Sequence, residues 1–258
     1  MNRIQLIRDS EPFSHPAPNP AAATHAAAER HLRREHLLFT PLHYEPKYAY
    51  PLLVWLHGPG GDERELARVM PHVSLRNYAA VGPRGTEPLA GDGSNRLGYT
   101  WRQEESHTAK AFARVMDCLD AAAERYNYSP SRVFLAGYEA GGTMALRLAL
   151  ANPHLFAGAV NIGGTWPEGD RPLARLEAAR KLPLLLIHGR DAEGFSIDHC
   201  CQVVRLLHAG GMKADIRQYP CGDEITTAML HDVDVWLMER VTGAVHDTEP
   251  QSPVWETN

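Results

Sequence analysis

The sequence predicts an α/β fold: a doubly wound, mostly parallel sheet with helices on both faces, formed by a single domain. Short apolar runs alternate with stretches of helical periodicity along most of the chain, as in repeated strand and helix units. Two of these apolar runs end in glycine-rich turns. A chain of 258 residues with 44% hydrophobic residues is also long enough to bury one large core.

Composition divides the chain into three parts. Residues 1–35 hold a proline and alanine tract followed by a charged segment, and we expect them to form a flexible N-terminal arm. Residues 36–242 contain the patterned strands and helices and are expected to form the α/β domain. Residues 243–258 are mostly polar, and we expect a loose C-terminal tail.

Within the domain, short apolar runs predict strands, and apolar residues spaced three and four apart predict helices. The first strand contains Pro41, which is typical of a sheet edge. Residues 86–102, rich in Gly, Asn and Asp, are predicted to form a long functional loop. The predicted strands start near residues 36, 51, 78, 133, 156, 184 and 214, and the predicted helices near residues 62, 106, 143, 173, 196 and 225.

The sharpest local signal is residues 133–142, Val-Phe-Leu-Ala-Gly-Tyr-Glu-Ala-Gly-Gly. Four apolar residues predict a strand, and a helix-forming run follows. Gly137 and Gly141 stand two residues before and two after Glu139, which lets the strand and helix backbones pass close together. This is the pattern of the nucleophile elbow of an α/β-hydrolase, in which the central residue stands on a strained turn. A serine hydrolase has Ser at that position, and this chain has Glu139.

A glycine pattern after a strand is also found in ordinary βα turns, so a second junction is needed to favour the hydrolase fold over an unrelated doubly wound sheet. Residues 51–61 provide it. They form an apolar run that ends in His57-Gly58-Pro59-Gly-Gly. An α/β-hydrolase places its oxyanion loop at about this separation before the elbow.

Charge and cysteine content exclude several classes of function. The net charge is −5 with no long block of one sign, which disfavours a nucleic-acid partner. The four cysteines lack zinc-type spacing and are interpreted as free thiols in a reducing compartment. We expect neither a signal peptide nor a membrane span, and hence a cytoplasmic protein.

Residues 36–241 resemble the phospholipase/carboxylesterase family of α/β-hydrolases, the relatives of acyl-protein thioesterases and small esterases. The resemblance implies ester or thioester hydrolysis by a Ser, Asp, His triad, with no cofactor and no metal. It is carried, in family order, by Leu56-His57-Gly58, Pro83-Arg84-Gly85, Trp101, the elbow, His188-Gly189 and Tyr219-Pro220.

The triad positions depart from that pattern. Glu139 replaces the nucleophile. The acid position falls on Ala192, so that only a small loop shift could offer Asp191 or Glu193. The base position, after Tyr-Pro-x-Gly, holds Asp223.

The oxyanion hole departs as well. The resemblance assigns its two N–H donors to Pro59, which has none, and to Ala140. A carboxylate cannot act as an alcohol nucleophile or shuttle protons as an imidazole does near pH 7. The sequence therefore indicates a pseudoenzyme that binds or regulates, with a small molecule or a protein as its unknown partner.

The alternative is an active hydrolase that uses relocated or carboxylate groups, in the way that some members of the fold attack alkyl carbon with an elbow Asp. In either case Glu139 and Asp223 are expected to converge and to need a positive partner. Arg84 and Arg102 are the candidates, and an amine ligand, Mg²⁺ or Ca²⁺ is the alternative to both.

Three candidate residues also have structural interpretations. Asp223 can be the N-cap of the last helix, and Asp191 can be a solvated loop residue. His57 ends its strand and is expected to be a hydrogen-bonded structural histidine, as is His188 on a later strand.

Overall fold

The structure, a computed structural model, describes residues 4–5, 35–90, 96–169, 171–193 and 196–243. These ranges form ten strands and six helices. The strands are β1 (Ile4–Gln5), β2 (His36–Phe39), β3 (Tyr50–Leu56), β4 (Ala79–Pro83), β5 (Glu87–Ala90), β6 (Arg96–Thr100), β7 (Tyr128–Tyr138), β8 (Gly158–Ile162), β9 (Leu184–Gly189) and β10 (Ala214–Tyr219). The helices are α1 (Glu65–Val73), α2 (Glu105–Arg125), α3 (Ala140–Ala151), α4 (Leu176–Ala179), α5 (Ile197–Ala209) and α6 (Thr227–Thr242).

Eight of the strands form one sheet in the order β1-β2-β4-β3-β7-β8-β9-β10. β2 pairs antiparallel with β1 and β4, and the remaining neighbours are parallel. Such a sheet places its loops and helix starts at the carboxyl ends of the strands, where α/β proteins bind ligands. The prediction of a mostly parallel α/β sheet is confirmed.

The sheet is covered on both faces because its central strands are apolar on both sides. In β3, Leu52, Val54 and Leu56 point into one core, and Leu53 and Trp55 point into the other. Helices α2, α3, α4 and α5 pack in the first core, whereas α1 and α6 pack in the second. Within the described ranges, no helix is long and apolar enough to cross a lipid bilayer.

The structure differs from the prediction at the start of the sheet. β2 ends at Phe39, before Pro41, so the proline lies outside the strand. Ile4–Gln5 pairs with β2 and extends the sheet beyond the predicted domain boundary. Residues 1–3 and 6–34 of the predicted arm, and the tail after Gly243, lie outside the described residues.

In the predicted loop at residues 86–102, the described residues 87–90 and 96–100 form β5 and β6, which pair as the two antiparallel strands of a hairpin. The two strands pair with each other. Each is only four or five residues long, which is too short for sequence periodicity to predict the pairing. The helix predicted to start near residue 173 begins later and is short, covering Leu176–Ala179. Helix α2 begins one residue before Ser106 and has no side-chain cap.

Candidate functional site

The elbow is the turn between β7 and α3. Glu139 stands at its apex with φ 46° and ψ −116°, a conformation that residues with a side chain rarely adopt. Two backbone hydrogen bonds hold it. The Glu139 N–H donates to the Ile162 carbonyl at 2.8 Å, and the Glu139 carbonyl accepts from the Thr143 N–H at 2.9 Å.

The two glycines of the elbow allow this close crossing. A Cβ built on Gly137 would lie 2.5 Å from the carbonyl carbon of Gly141, and one built on Gly141 would lie 2.2 Å from the Leu56 oxygen. Neither position accepts a side chain unless the backbone shifts. The prediction of a strand, tight turn and closely packed helix is confirmed.

A small pocket of about 10 Å³, roughly the space of one water molecule, lies beside the elbow. Glu139 and Asp223 both line it, together with Glu224 from the loop after β10 and Ala192 from the loop after β9. The structure therefore brings together Glu139 and Asp223, the two residues that the family resemblance assigns to the nucleophile and base positions. The described residues contain no group of three or more His, Cys, Asp or Glu side chains arranged to hold a metal ion.

Asp223 ties two loops together at this pocket. Its Oδ2 accepts from the Glu193 N–H at 3.0 Å, and its backbone carbonyl accepts from the Tyr138 hydroxyl. The interpretation of Asp223 as the N-cap of α6 is wrong, because Thr226 caps that helix through a 3.3 Å bond from the Met229 N–H.

Asp191 does not line the pocket. It is exposed, and Arg190 binds it through two bonds of 3.0 and 3.1 Å. The hydrogen bonds and charge of this arginine lower the pKa of the Asp191 carboxyl. Sequence reasoning missed Arg190, although it directly precedes Asp191 in the chain. Ala192, on which the acid position falls, is the residue that reaches the pocket.

The expected positive partners lie elsewhere. Arg84 forms a two-bond ion pair with the buried Glu63, with Nη2 to Oε1 at 2.5 Å and Nε to Oε2 at 2.7 Å. Its guanidinium also lies 5.0 Å from the ring centre of Tyr99. The prediction that Arg84 neutralises Glu139 or Asp223 is wrong, because the Arg84 guanidinium is already paired with the carboxylate of Glu63.

The second candidate is Arg102. It is exposed and borders a separate surface depression with Trp101 and Glu168, so the structure does not bring it to Glu139 either. Both arginines were proposed from their loops alone, and side chains on neighbouring loops can point to different faces. The pocket therefore keeps its acidic lining without either arginine.

The glycine loop at residues 58–61 has no N–H left for an oxyanion. Gly58 donates to the Glu65 carboxylate at 3.3 Å, Gly60 to the Tyr99 carbonyl at 2.9 Å, and Gly61 to the Gly58 carbonyl at 3.1 Å. Pro59 has no N–H. Ala140 begins α3, so its N–H is one of those that a helix cannot satisfy internally.

The β5–β6 hairpin holds that loop in place. The Tyr99 N–H donates to the Gly61 carbonyl at 2.8 Å, in addition to the bond that Tyr99 accepts from Gly60. Gly98 has φ +96°, and a Cβ built there would lie 2.1 Å from the Gly60 oxygen. The segment predicted as a functional loop is thus a clamp on the glycine loop.

His57 has a structural role, as expected. It is buried, and its Nε2 accepts from the Gly85 N–H at 2.8 Å, so that Nδ1 carries the proton and donates to the Gly58 carbonyl at 2.7 Å. Burial lowers the pKa of His57. His188 is also buried on β9, and burial lowers its pKa against the opposing charge of Asp223.

The sheet order and the elbow define an α/β-hydrolase. Residues 45–239 match the model of the phospholipase/carboxylesterase family, and the chain belongs to that family. NocK of Nocardia uniformis subsp. tsuyamanensis, an esterase by its name, is 33% identical over 144 residues, which are 55% of this chain and only 40% of NocK.

Two further relatives match along more of their length. A rice protein (Oryza sativa subsp. japonica) named as a probable carboxylesterase is 27% identical over 215 residues, 75% of this chain and 89% of its own. The crystal structure of SOBER1 from Arabidopsis thaliana superposes with a TM-score of 0.62 at 20% identity, covering 75% of this chain and all of SOBER1. This likeness concerns the fold.

Proposed function

We propose that this protein is a non-hydrolytic member of the phospholipase/carboxylesterase family, and that it binds a small molecule or a protein partner instead of cleaving an ester. The observation that carries the proposal is the carboxylate of Glu139 at the apex of the elbow. Ester cleavage of the family type needs an alcohol there, activated by an imidazole.

The surroundings of Glu139 support the same proposal. The base position holds Asp223 and the acid position holds Ala192, both at the pocket. The glycine loop offers no N–H to a developing oxyanion, and losing one such donor costs about two orders of magnitude in rate or more. Each loss alone slows hydrolysis severely, and together they leave no complete route for acyl transfer.

An elbow carboxylate that attacks alkyl carbon would still need a base to activate water. Asp223 replaces the histidine that would serve, and His57 is occupied by Gly85 and Gly58. We therefore favour a binding function over hydrolysis by relocated catalytic groups. We also propose a reducing location such as the cytoplasm, which is supported by the four cysteines, all free.

The test is a turnover screen with short-chain p-nitrophenyl esters and thioesters. Wild-type protein is compared with Glu139→Ala, and we expect no turnover that this substitution removes. Ester hydrolysis that depends on Glu139 would overturn the proposal and favour an active hydrolase with carboxylate groups.

Stepwise reconstruction sharpens the test. Glu139→Ser with Asp223→His restores nucleophile and base, and we expect little activity from this pair. Adding Ala192→Asp and Pro59→Gly supplies an acid and an N–H, and should raise the rate by about a hundredfold over the pair. Ordinary esterase rates from the pair alone would show that Pro59 does not occupy the oxyanion position.

A further inference from the structure

The Tyr138 side chain lies across the pocket beside Glu139. Its hydroxyl donates to the backbone carbonyl of Asp223, on the loop after β10. Its ring lies against the glycine loop on the other side, since a Cβ built on Gly58 would lie 2.6 Å from its Cδ1. One half-buried side chain therefore bridges the two loops that flank the elbow, and we name it the Tyr138 strap.

The strap also touches the floor of the pocket. Tyr138 and Glu139 both line it, and both side chains lie within about 4 Å of a Cβ position on Gly163. Burial, and then the hydrogen bond and charge of Glu139, raise the pKa of Tyr138. The hydroxyl therefore stays a donor throughout the physiological pH range, and only movement can release it.

We propose that Tyr138 is a gate: its side chain narrows the Glu139 pocket to the size of a water molecule while its hydroxyl is bonded to Asp223, and a larger ligand enters beside the partly exposed Glu139 only when the ring swings away. The inference rests on the proposed binding function, which needs a pocket that opens.

Cys221 can report the opening. It lies two residues before Asp223 and packs, partly buried, in the same apolar cluster as Tyr138. Burial, and then the charges of nearby acidic residues such as Glu224, raise the pKa of its thiol and slow alkylation, and release of the loop from Tyr138 would expose the sulfur further. Cys201 on α5, also partly buried and free, serves as an internal reference in the same sample.

The experiment measures iodoacetamide alkylation of the native full-length protein by mass spectrometry. Tyr138→Phe removes the hydroxyl and keeps the ring. We expect Cys221 to react about fivefold faster, as the loss of one net hydrogen bond predicts, and Cys201 to react at its former rate. Tyr48→Phe is the matched control, because Tyr48 is exposed and its hydroxyl has no hydrogen bond within the described residues.

Tyr138→Ala removes the ring as well and should raise the Cys221 rate further than Tyr138→Phe does. An unchanged Cys221 rate in Tyr138→Phe would overturn the gate. An equal rise at Cys201 would also overturn it, because the loosening would then be general. The readout does not depend on turnover, so the gate and the proposed function can fail separately.

Discussion

The turn at Glu139 and the loop at Gly58 follow adjacent parallel strands, β7 and β3, yet different forces hold them. The turn is fixed by backbone packing, in which Gly137 and Gly141 allow direct contact with β3. The loop is fixed by hydrogen bonds from residues far away in the chain, such as Tyr99 and Glu65. The comparison shows that backbone packing alone can hold the frame of the elbow, whatever residue type stands at its apex, whereas the glycine loop depends on distant partners.

The strongest way to break the elbow is Gly141→Ala. The added Cβ would lie 2.2 Å from the Leu56 oxygen and 2.4 Å from the His57 oxygen. We expect a loss of about 3 kcal/mol in the free energy of unfolding, measured by urea denaturation. Gly210→Ala is the matched control, because its nearest atom would be at 3.3 Å. Equal effects of the two substitutions would contradict the close crossing.

Alanine substitutions of Arg84 and Arg102 compare a paired with an exposed arginine on two of the loops. Arg84→Ala leaves the buried carboxylate of Glu63 unpaired, and we expect it to cost about 2 kcal/mol in thermal or urea unfolding. Arg102→Ala removes an exposed side chain and should be nearly neutral. A larger loss of stability in Arg102→Ala than in Arg84→Ala would contradict the stabilising role of the Arg84–Glu63 ion pair.

Lowering the pH should reduce the free energy of unfolding, because His57, which supports the glycine loop, is held neutral in the fold. Its pKa is lowered in the fold by burial, which outweighs the raising effect of the hydrogen bond to Gly58 and of the nearby acids Asp62 and Glu63. The unfolded chain therefore binds a proton more readily, and stability is lost as the pH falls below about 6.5, by at most about 1.4 kcal/mol per pH unit for each such histidine. Urea unfolding of wild type and His57→Gln between pH 8 and pH 5 measures this.

His57→Gln should show a shallower loss on acidification, although it is less stable at pH 8. His188 has a lowered pKa as well and contributes part of the wild-type slope. His188→Gln therefore separates the two histidines. An unchanged slope in His57→Gln would contradict the neutral tautomer assigned from the Gly85 bond.

The sequence determined much of the frame because the relevant signals are local. Period and apolar content predicted the strands and helices, and the spacing of Gly137 and Gly141 predicted the elbow from simple steric requirements. The residue types at the positions that the resemblance assigns to nucleophile and base, Glu139 and Asp223, are given by the sequence itself. Their arrangement at one pocket follows from the parallel order of the strands.

Tertiary structure decided which groups are paired. Nothing local to Arg84 indicates Glu63 as its partner, because that contact joins loops after different strands. The clamp of the β5–β6 hairpin on residues 58–61 and the bond from Tyr138 to Asp223 also join segments distant in sequence. The direction of a side chain on a loop depends on packing across such distances, whereas helix and strand periodicity depends on neighbours within a few residues.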